Sequence, residues 1–311
     1  MKTLRIQTYV IALLTALIVG FNGYAQSNNV SKHANLRILL IGNSFSQNAS
    51  TYLPQLAKEG GHDLIIGHAE IGGCSLQKHW ELAELNKTEP DNPKGKPYVG
   101  NKSLRMLLTE GEWDVVTMQQ YSGLSGNVES YKPYAGNLYK LIMQLQPHAR
   151  ILLHQTWAYR SDSKSFGEVA PGKPAKTEKE MYEKSREAYH QIAGELKIDI
   201  IPTGDAFWLV SSNQKTAYKT DGNFNPETAV YPALPNQTNS LNVGYTWIDN
   251  KLNFDTHHAN DAGKYLGGLV WYSTLFHESV KKIKFKPEGV SAEFAKRLKG
   301  AVQKAITNVE M

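Results

Sequence analysis

Two short fragments of this sequence carry residue types that could perform nucleophilic catalysis. Ser44 follows Gly42 and Asn43, and His258 stands three residues after Asp255. A serine hydroxyl attacks poorly at neutral pH unless a base takes its proton. A carboxylate beside an imidazole fixes the ring tautomer and leaves the other nitrogen facing a hydroxyl. Each fragment alone also fits a plainer role, as a turn or helix cap beside a surface histidine.

The elements around Ser44 favour an exposed position for its hydroxyl. The apolar run Leu36–Ile41 predicts a buried strand that stops at Gly42, and apolar spacing from Thr51 predicts a helix that ends at Gly60–Gly61. In an open α/β sheet, ligands bind in the crevice at the carboxyl ends of the strands. Ser44 is therefore the candidate nucleophile.

Further along, strands alternate with helices of 10 to 20 residues. This alternation predicts a parallel sheet with helices on both faces. Residues 211–253 break the pattern with a long aromatic-rich stretch, which we interpret as a loop forming one wall of a binding cleft. We expect a single α/β domain over residues 36–311, closed by a C-terminal helix. The later predicted strands are Asp63–Ala69, Trp113–Met118, Arg150–His154 and Ile198–Pro202.

The N-terminus resembles an export signal. Lys2 and Arg5 precede an apolar run over residues 9–21, and the small residue Ala25 offers a cleavage site. The run is short for a membrane span. We predict a signal peptide over residues 1–25 and a linker over 26–35, hence a secreted or periplasmic protein without stable membrane insertion. An uncleaved anchor is the alternative.

Charge and cysteine content exclude several classes of protein. The net charge is +5, and removal of residues 1–25 leaves 286 residues with a charge of +3. So small a charge argues neither for nucleic acid nor for anionic membranes as a partner, and no nucleic acid is expected. The single cysteine, Cys74, cannot form an internal disulfide, which suits a bacterial periplasm.

No metal or cofactor is expected. Asp255, His257, His258 and Asp261 are a conceivable ligand set, but adjacent histidines tend to point apart and no further His or Cys pair supports them. The sequence also lacks a Gly-x-Gly-x-x-Gly turn and a phosphate-binding loop followed by Lys.

In combination, these blocks resemble the SGNH/GDSL esterase superfamily, in particular an exported bacterial sub-branch. The resemblance rests on Gly42-Asn43-Ser44, on the glycine turn at residues 71–74, and on Asp255-x-x-His258 with Gly263 following. Two positions depart from the superfamily pattern. Asn43 replaces the usual Asp, and Gln119-Gln120 stands where the superfamily has Gly-x-Asn-Asp, so its oxyanion-binding Asn is missing.

The resemblance implies a three-layer flavodoxin-like fold with a five-stranded parallel sheet in the order 2-1-3-4-5. It implies Ser44 as nucleophile, His258 as base and Asp255 as its orienting partner. The oxyanion would be bound by the backbone N–H groups of Ser44 and Gly73 and by the side chain of Gln119, with Gln120 behind it. The candidate substrate-binding residues are Asn43, Gln120, Trp157, Tyr159, Trp247 and His257.

The predicted function is that of an exported serine esterase. It would remove short acyl groups, acetyl above all, from a carbohydrate through an acyl-enzyme, so the partner is a small-molecule or glycan ester. A lipid or aryl esterase is one alternative. A non-catalytic carbohydrate-binding protein on the same fold is the other, since the Asn of the third block is missing.

Overall fold

The structure is a computed structural model and describes residues 35–310. The predicted signal peptide, residues 1–25, lies outside these residues, as does the linker except for its last residue. That residue, Asn35, already begins the first strand.

The central sheet contains five parallel strands. These are β1 (Asn35–Gly42), β2 (Asp63–Glu70), β3 (Val115–Met118), β4 (Arg150–His154) and β7 (Asp199–Ile201), the last following a small antiparallel pair, β5 (Glu168–Ala170) and β6 (Lys173–Pro174). Their order is β2-β1-β3-β4-β7. This is the predicted order 2-1-3-4-5, and the fold class is confirmed. Residues 38–41 of β1 are fully buried, as expected for a strand covered on both faces.

Helices cover both faces of this sheet. Ile38 and Leu40 face one core and Leu39 and Ile41 the other, because side chains alternate along a strand. Helices α1, α2, α7, α8 and α9 pack on the first face, and α3 to α6 on the second. The bounds are α1 (Ser44–Ser50), α2 (Leu53–Gly60), α3 (Leu76–Thr88), α4 (Leu104–Leu108), α5 (Tyr134–Leu145), α6 (Glu178–Leu196), α7 (Thr203–Ser211), α8 (Asp261–Phe276) and α9 (Ala292–Glu310).

The helix predicted from Thr51 to Gly60–Gly61 is present as α2, which begins at Leu53 and ends at Gly60. A separate short helix, α1, precedes it and begins at Ser44, immediately after β1. The cause is local, because the side chain of Asn43 accepts a hydrogen bond from the backbone N–H of Phe45 and caps the helix. Ser44 is thus the first helical residue.

The interpretation of residues 211–253 as one irregular loop is wrong for its last third. After a loop over 212–241, β8 (Asn242–Ile248) and β9 (Lys251–Ala259) form an antiparallel hairpin. Asp249 and Asn250 connect them, both with positive φ, as in a tight hairpin turn. Asp255 and His258 therefore lie on strand β9, which ends just before α8.

Within residues 35–310, no helix combines the length and apolar character that crossing a membrane requires.

Candidate functional site

Ser44 lies at the carboxyl end of the central strand β1. Its backbone N–H belongs to the first helical residue of α1, so it has no acceptor within the helix. Asn43 holds the turn by accepting from the N–H of Phe45 at 3.0 Å and donating from Nδ2 to the carbonyl oxygen of Cys74 at 3.0 Å. The Asn43 side chain thus fixes the position of the Ser44 backbone, from which the hydroxyl extends.

A β-bulge in the hairpin shapes the segment from Asp255 to Ala259. Asn242 pairs with Ala259 and Gly244 with Asp255, so three residues of β9 lie opposite the single Val243. Bulges of this kind re-aim side chains and are frequent next to active sites. Here the Oδ1 atom of Asp255 accepts the backbone N–H groups of His257 and His258, at 3.1 and 3.0 Å.

The bulge brings Asp255 and His258 into line with Ser44. The Oγ atom of Ser44 lies 2.9 Å from Nε2 of His258, and Nδ1 of His258 lies 2.7 Å from Oδ2 of Asp255. Since a carboxylate oxygen can only accept, Nδ1 carries the proton and Nε2 is free to accept one from Ser44. The side chains of His258 and Asp255 are 33 % and 27 % exposed, so solvent and small solutes reach them.

The charge of Asp255 is stabilised by its surroundings. Burial acts to raise the pKa of Asp255, but hydrogen bonds from the ring and backbone of His258, together with both neighbouring imidazoles, lower it well below its ordinary value. Burial lowers the pKa of His257; Asp255 opposes this effect and His258 adds to it. Asp255 is therefore ionised and His257 neutral at neutral pH.

Three hydrogen bonds from the domain hold β9 in place. The indole Nε1 of Trp157 donates to the carbonyl oxygen of His257 at 2.8 Å. The backbone N–H of Arg160 donates to the carbonyl oxygen of Thr256 at 2.9 Å. From α1, the side chain of Asn48 accepts the N–H of Ala259 at 2.8 Å. The sequence gives no signal for these contacts, because each joins residues about a hundred or more positions apart.

The glycine turn after β2 lies beside Ser44. The N–H of Ile71 donates to the carbonyl oxygen of Gly42 at 3.1 Å, and the contact from Asn43 to Cys74 fixes the other end of the turn. Gly73 is exposed and adopts a φ of +64°, a conformation that glycine tolerates best. The predicted position of Gly73 at the site is thus compatible with its backbone.

The two glutamines after β3 are not placed as predicted. Both side chains are fully buried. The amide nitrogen of Gln119 donates to Oδ1 of Asn43 at 2.6 Å and to the carbonyl oxygen of Gln120 at 3.3 Å, while its oxygen accepts from Ser46 at 2.5 Å. Since both amide hydrogens are engaged, Gln119 cannot bind an oxyanion in this arrangement.

Gln120 is likewise a structural residue. Its oxygen accepts the N–H groups of Leu76 and Tyr121, and its nitrogen donates to the carbonyl and hydroxyl oxygens of Ser130. It therefore ties the loop after β3 to α3 and does not face a substrate.

The remaining predicted substrate-binding residues divide into two groups. Asn43 and Trp157 are buried, and the Trp157 ring packs between Phe45 and Phe207 at centroid distances of 4.3 and 4.4 Å. Neither can contact a substrate directly. Tyr159 stands beside His257 with ring centroids 5.5 Å apart, at the site.

Trp247, the last predicted substrate-binding residue, lies toward the hairpin tip. It pairs with Leu252, three residues beyond the pairing of Gly244 with Asp255. Its indole nitrogen donates to the carbonyl oxygen of Ala233, so this side chain binds the loop 212–241 to the hairpin.

His79 supports the site from below. Its Nε2 donates to the carbonyl oxygen of Gly42 at 3.0 Å, and its Nδ1 accepts from the hydroxyl of Tyr98 at 2.8 Å. Burial lowers the pKa of His79 to about 4, although the bond to Gly42 opposes this. The His79 side chain is fully buried and binds the start of the turn that carries Ser44.

The expectation that His257 and His258 point apart is wrong. Their ring centroids are 4.1 Å apart because the bulge interrupts the alternation of side chains along β9. Across residues 35–310, Asp255, His257 and His258 are the group of three whose potential ligand atoms all lie within 4.8 Å of one another. Asp261 does not join them, since its Oδ1 accepts from the hydroxyl of Tyr52 at 3.0 Å.

Comparisons place the chain among known proteins. A family model described as Domain of unknown function (DUF4886) matches residues 37–229. A crystal structure of a DUF4886 family protein from Bacteroides uniformis ATCC 8492 is similar over 88 % of this chain and 95 % of that one, with 25 % identity and a TM-score of 0.65. No curated protein matches the chain.

Solved structures with weaker similarity include two acyl hydrolases. The lipase/acylhydrolase from Enterococcus faecalis has 12 % identity and a TM-score of 0.44, over 77 % of this chain and 95 % of that one. The acetyl xylan esterase AlAXEase has 15 % identity and a TM-score of 0.41, over 77 % and 100 %.

Proposed function

This chain belongs to the DUF4886 family, and we propose that it is an exported serine esterase that removes short acyl groups from a carbohydrate. Acetyl is the acyl group we favour. The observation that carries the proposal is the hydrogen-bonded series from Ser44 through His258 to Asp255 at the carboxyl end of the central strand. In such a series the hydroxyl has its base within reach, and the base has an ionised partner.

In the first half of the reaction, Ser44 attacks the ester carbonyl carbon through Oγ. The Oγ–H bond breaks as the new C–O bond forms, and Nε2 of His258 takes the proton. The positive charge that develops on the ring is stabilised by the ionised Asp255 at 2.7 Å. The tetrahedral intermediate then expels the sugar oxygen, which His258 protonates, and an acyl-enzyme remains on Ser44.

In the second half, water takes the place of the sugar alcohol. His258 removes a proton from the water, whose oxygen attacks the acyl carbon. Collapse of the second tetrahedral intermediate releases the carboxylic acid, and the proton on His258 returns to Oγ of Ser44. The 33 % exposure of the His258 side chain gives water access for this step.

The oxyanion of both intermediates would be bound by two backbone N–H groups. These belong to Ser44 and to Gly73, the exposed residue of the glycine turn. Loss of one such donor typically costs ~10²- to 10³-fold in rate. Because the Gln119 amide is engaged elsewhere, these two backbone donors would act without it.

The carbohydrate assignment rests on the surroundings of the site and on the predicted export. Tyr159 stands against His257, and Tyr121 is 36 % exposed on the loop after β3. Aromatic rings of this kind present flat surfaces to the apolar face of a sugar.

A non-catalytic carbohydrate-binding protein is the second candidate. The observation that favours it is the internal engagement of Gln119, which removes the side-chain donor that an oxyanion hole would have. The two candidates differ in turnover, because binding alone requires neither Ser44 nor His258.

The test is release of acetate from acetylated xylan and hydrolysis of p-nitrophenyl esters of increasing chain length. We expect Ser44→Ala and His258→Ala to lose on the order of 10⁴-fold or more in kcat. The control variants are Ser212→Ala, at the end of α7, and His148→Gln, at an exposed position, and both should retain activity.

Three outcomes decide between the functions. Acetate release that depends on Ser44 and His258 supports the proposal. A preference for long-chain or aryl esters would replace it with a lipid or aryl esterase. Binding of xylan without hydrolysis of any ester would establish the binding protein in its place.

A further inference from the structure

The carboxylate of Asp255 serves two histidines at once. Its Oδ2 lies 2.7 Å from Nδ1 of His258, and its Oδ1 lies 3.1 Å from Nδ1 of His257. The proposed hydrolysis uses the first contact only. The second histidine, which the bulge holds on the same side as the first, transfers no proton in that reaction.

We propose that Asp255, His257 and His258 also form a binding site for a divalent transition-metal ion of the zinc type, whose occupation switches off the serine. Imidazole nitrogen and carboxylate oxygen are the ligands that Zn²⁺ takes, at roughly 2.0–2.2 Å. The three potential ligand atoms lie within 4.8 Å of one another, and an ion would draw them closer as it binds. A fourth position remains for water, since all three residues are partly exposed.

The carboxylate is oriented before any ion arrives. Two backbone N–H groups, those of His257 and His258, donate to Oδ1 of Asp255 at 3.1 and 3.0 Å. Such second contacts to a ligand fix its direction and raise metal affinity. The main chain is fixed as well, since Trp157 binds the carbonyl oxygen of His257. The Asp255 carboxylate and the main chain at His257 are therefore held in place by hydrogen bonds before an ion binds.

The imidazole nitrogens of His257 and His258 favour transition-metal ions over Mg²⁺ and Ca²⁺. Mg²⁺ and Ca²⁺ prefer sites made of oxygen atoms only, whereas imidazole suits Zn²⁺ and the later first-row transition metals. Zn²⁺ is accordingly the ion to test, with Mg²⁺ as the negative control.

Occupation would stop the proposed reaction through the tautomer of His258. In the free site Nδ1 carries the proton and Nε2 accepts from Ser44. An ion bound at Nδ1 needs the lone pair there, so the ring proton moves to Nε2, and no net proton is released. Nε2 then donates to Ser44 and can no longer act as its base. This consequence rests on the proposed function, whereas ion binding itself does not.

The experiment is isothermal titration calorimetry, in which untagged protein is titrated with Zn²⁺ and, separately, with Mg²⁺. We expect one Zn²⁺ per chain and no heat from Mg²⁺. His257→Gln should weaken Zn²⁺ binding at least ~10-fold, as loss of even an outer partner of a metal site does. His148→Gln changes an exposed histidine elsewhere and should bind like the wild type.

A Ser44→Ala variant separates this proposal from the function. It should bind Zn²⁺ as the wild type does, although it cannot hydrolyse esters. If wild type and His257→Gln bind Zn²⁺ equally, the metal site is overturned whatever the activity. If Zn²⁺ binds as expected but no ester is hydrolysed, the site stands and the esterase function fails.

Inhibition is the second readout. Each variant is compared with its own metal-free rate, so that a change in basal activity does not enter the comparison. We expect Zn²⁺ to inhibit the wild type at concentrations that match its binding, and to require at least ~10-fold more for His257→Gln. Equal inhibition of the two would show that Zn²⁺ acts elsewhere.

Discussion

The indole N–H of Trp157 donates a hydrogen bond of 2.8 Å to the carbonyl oxygen of His257, the residue immediately before the proposed base His258. Trp157 follows β4 of the central sheet, and His257 lies on the hairpin added after the sheet is complete. This contact therefore links the scaffold that carries Ser44 to the strand that carries its partners.

Trp157→Phe tests whether this link positions His258. Phenylalanine keeps an aromatic ring between Phe45 and Phe207 but removes the donor to His257. We expect kcat to fall ~10-fold with KM nearly unchanged, because a displacement of about 1 Å at the reacting atoms can cost ~10²-fold. Trp208→Phe removes an indole on α7 that stacks on Tyr182 and serves as the control. Equal effects of the two variants would contradict a positioning role.

Gln119→Met tests the role of the first glutamine. The structure predicts a loss of stability of about 1–3 kcal/mol, since Ser46 and Asn43 each lose a buried partner. If Gln119 bound the oxyanion instead, kcat would fall ~10²- to 10³-fold while stability changed little. Urea unfolding and steady-state kinetics on the same preparation separate the two results.

Gly244→Ala tests the bulge that aligns the site. Gly244 pairs with Asp255 and has a φ of +69°, and a Cβ atom there would overlap Oε1 of Gln237 and Nη1 of Arg160. We expect lower thermal stability and a loss of esterase activity larger than the stability change explains. Gly222→Ala, in the loop before the hairpin, meets no atom within 4 Å and should leave both unchanged. An active Gly244→Ala variant would show that the bulge tolerates displacement.

The lowered pKa of the buried His79 predicts a loss of stability in acid. Burial lowers its pKa in the folded protein to about 4, whereas an unfolded histidine titrates near its ordinary value of about 6.5. Between these two pKa values His79 is protonated in the unfolded chain and neutral in the folded one. The free energy of unfolding therefore falls as the pH falls. The slope for one histidine is at most about 1.4 kcal/mol per pH unit.

His79→Gln removes this titration. The variant should be less stable at pH 7, because the buried hydrogen bonds are disturbed, yet lose less stability than the wild type between pH 6.5 and 4. Urea midpoints at pH 7, 6 and 5 give the two slopes. Equal slopes would mean that His79 is protonated in the folded protein as readily as in the unfolded one.

The sequence predicts the sheet well because each strand is recognisable from its own short apolar run. These runs alternate with segments of helical spacing, and the bounds of β4 match the predicted Arg150–His154. The hairpin is missed although Val243, Tyr245 and Trp247 alternate with Gly244 and Thr246, because its strands are mostly only partly buried and follow a long stretch without periodicity. Its turn, Asp249–Asn250, is recognised only once two strands are known to flank it.

The arrangement of the site is harder to predict than the identity of its residues. Ser44, Asp255 and His258 are found by spacing and resemblance, but the closeness of His257 to His258 depends on a bulge that no local pattern encodes. The engagement of Gln119 depends on Asn43 and Ser46, more than seventy residues away along the chain. Trp157 is aromatic and follows a strand, which suits a sugar platform and a buried anchor equally.

The proposed function requires that Ser44 is a nucleophile activated by His258. The most direct test is reaction of the protein with a fluorophosphonate, followed by intact mass measurement and peptide mapping. We expect one adduct per chain on the peptide that contains Ser44, much slower labelling of His258→Ala, and no labelling of Ser44→Ala. A folded wild-type protein that stays unlabelled, or that is labelled at another residue, would contradict the proposed function.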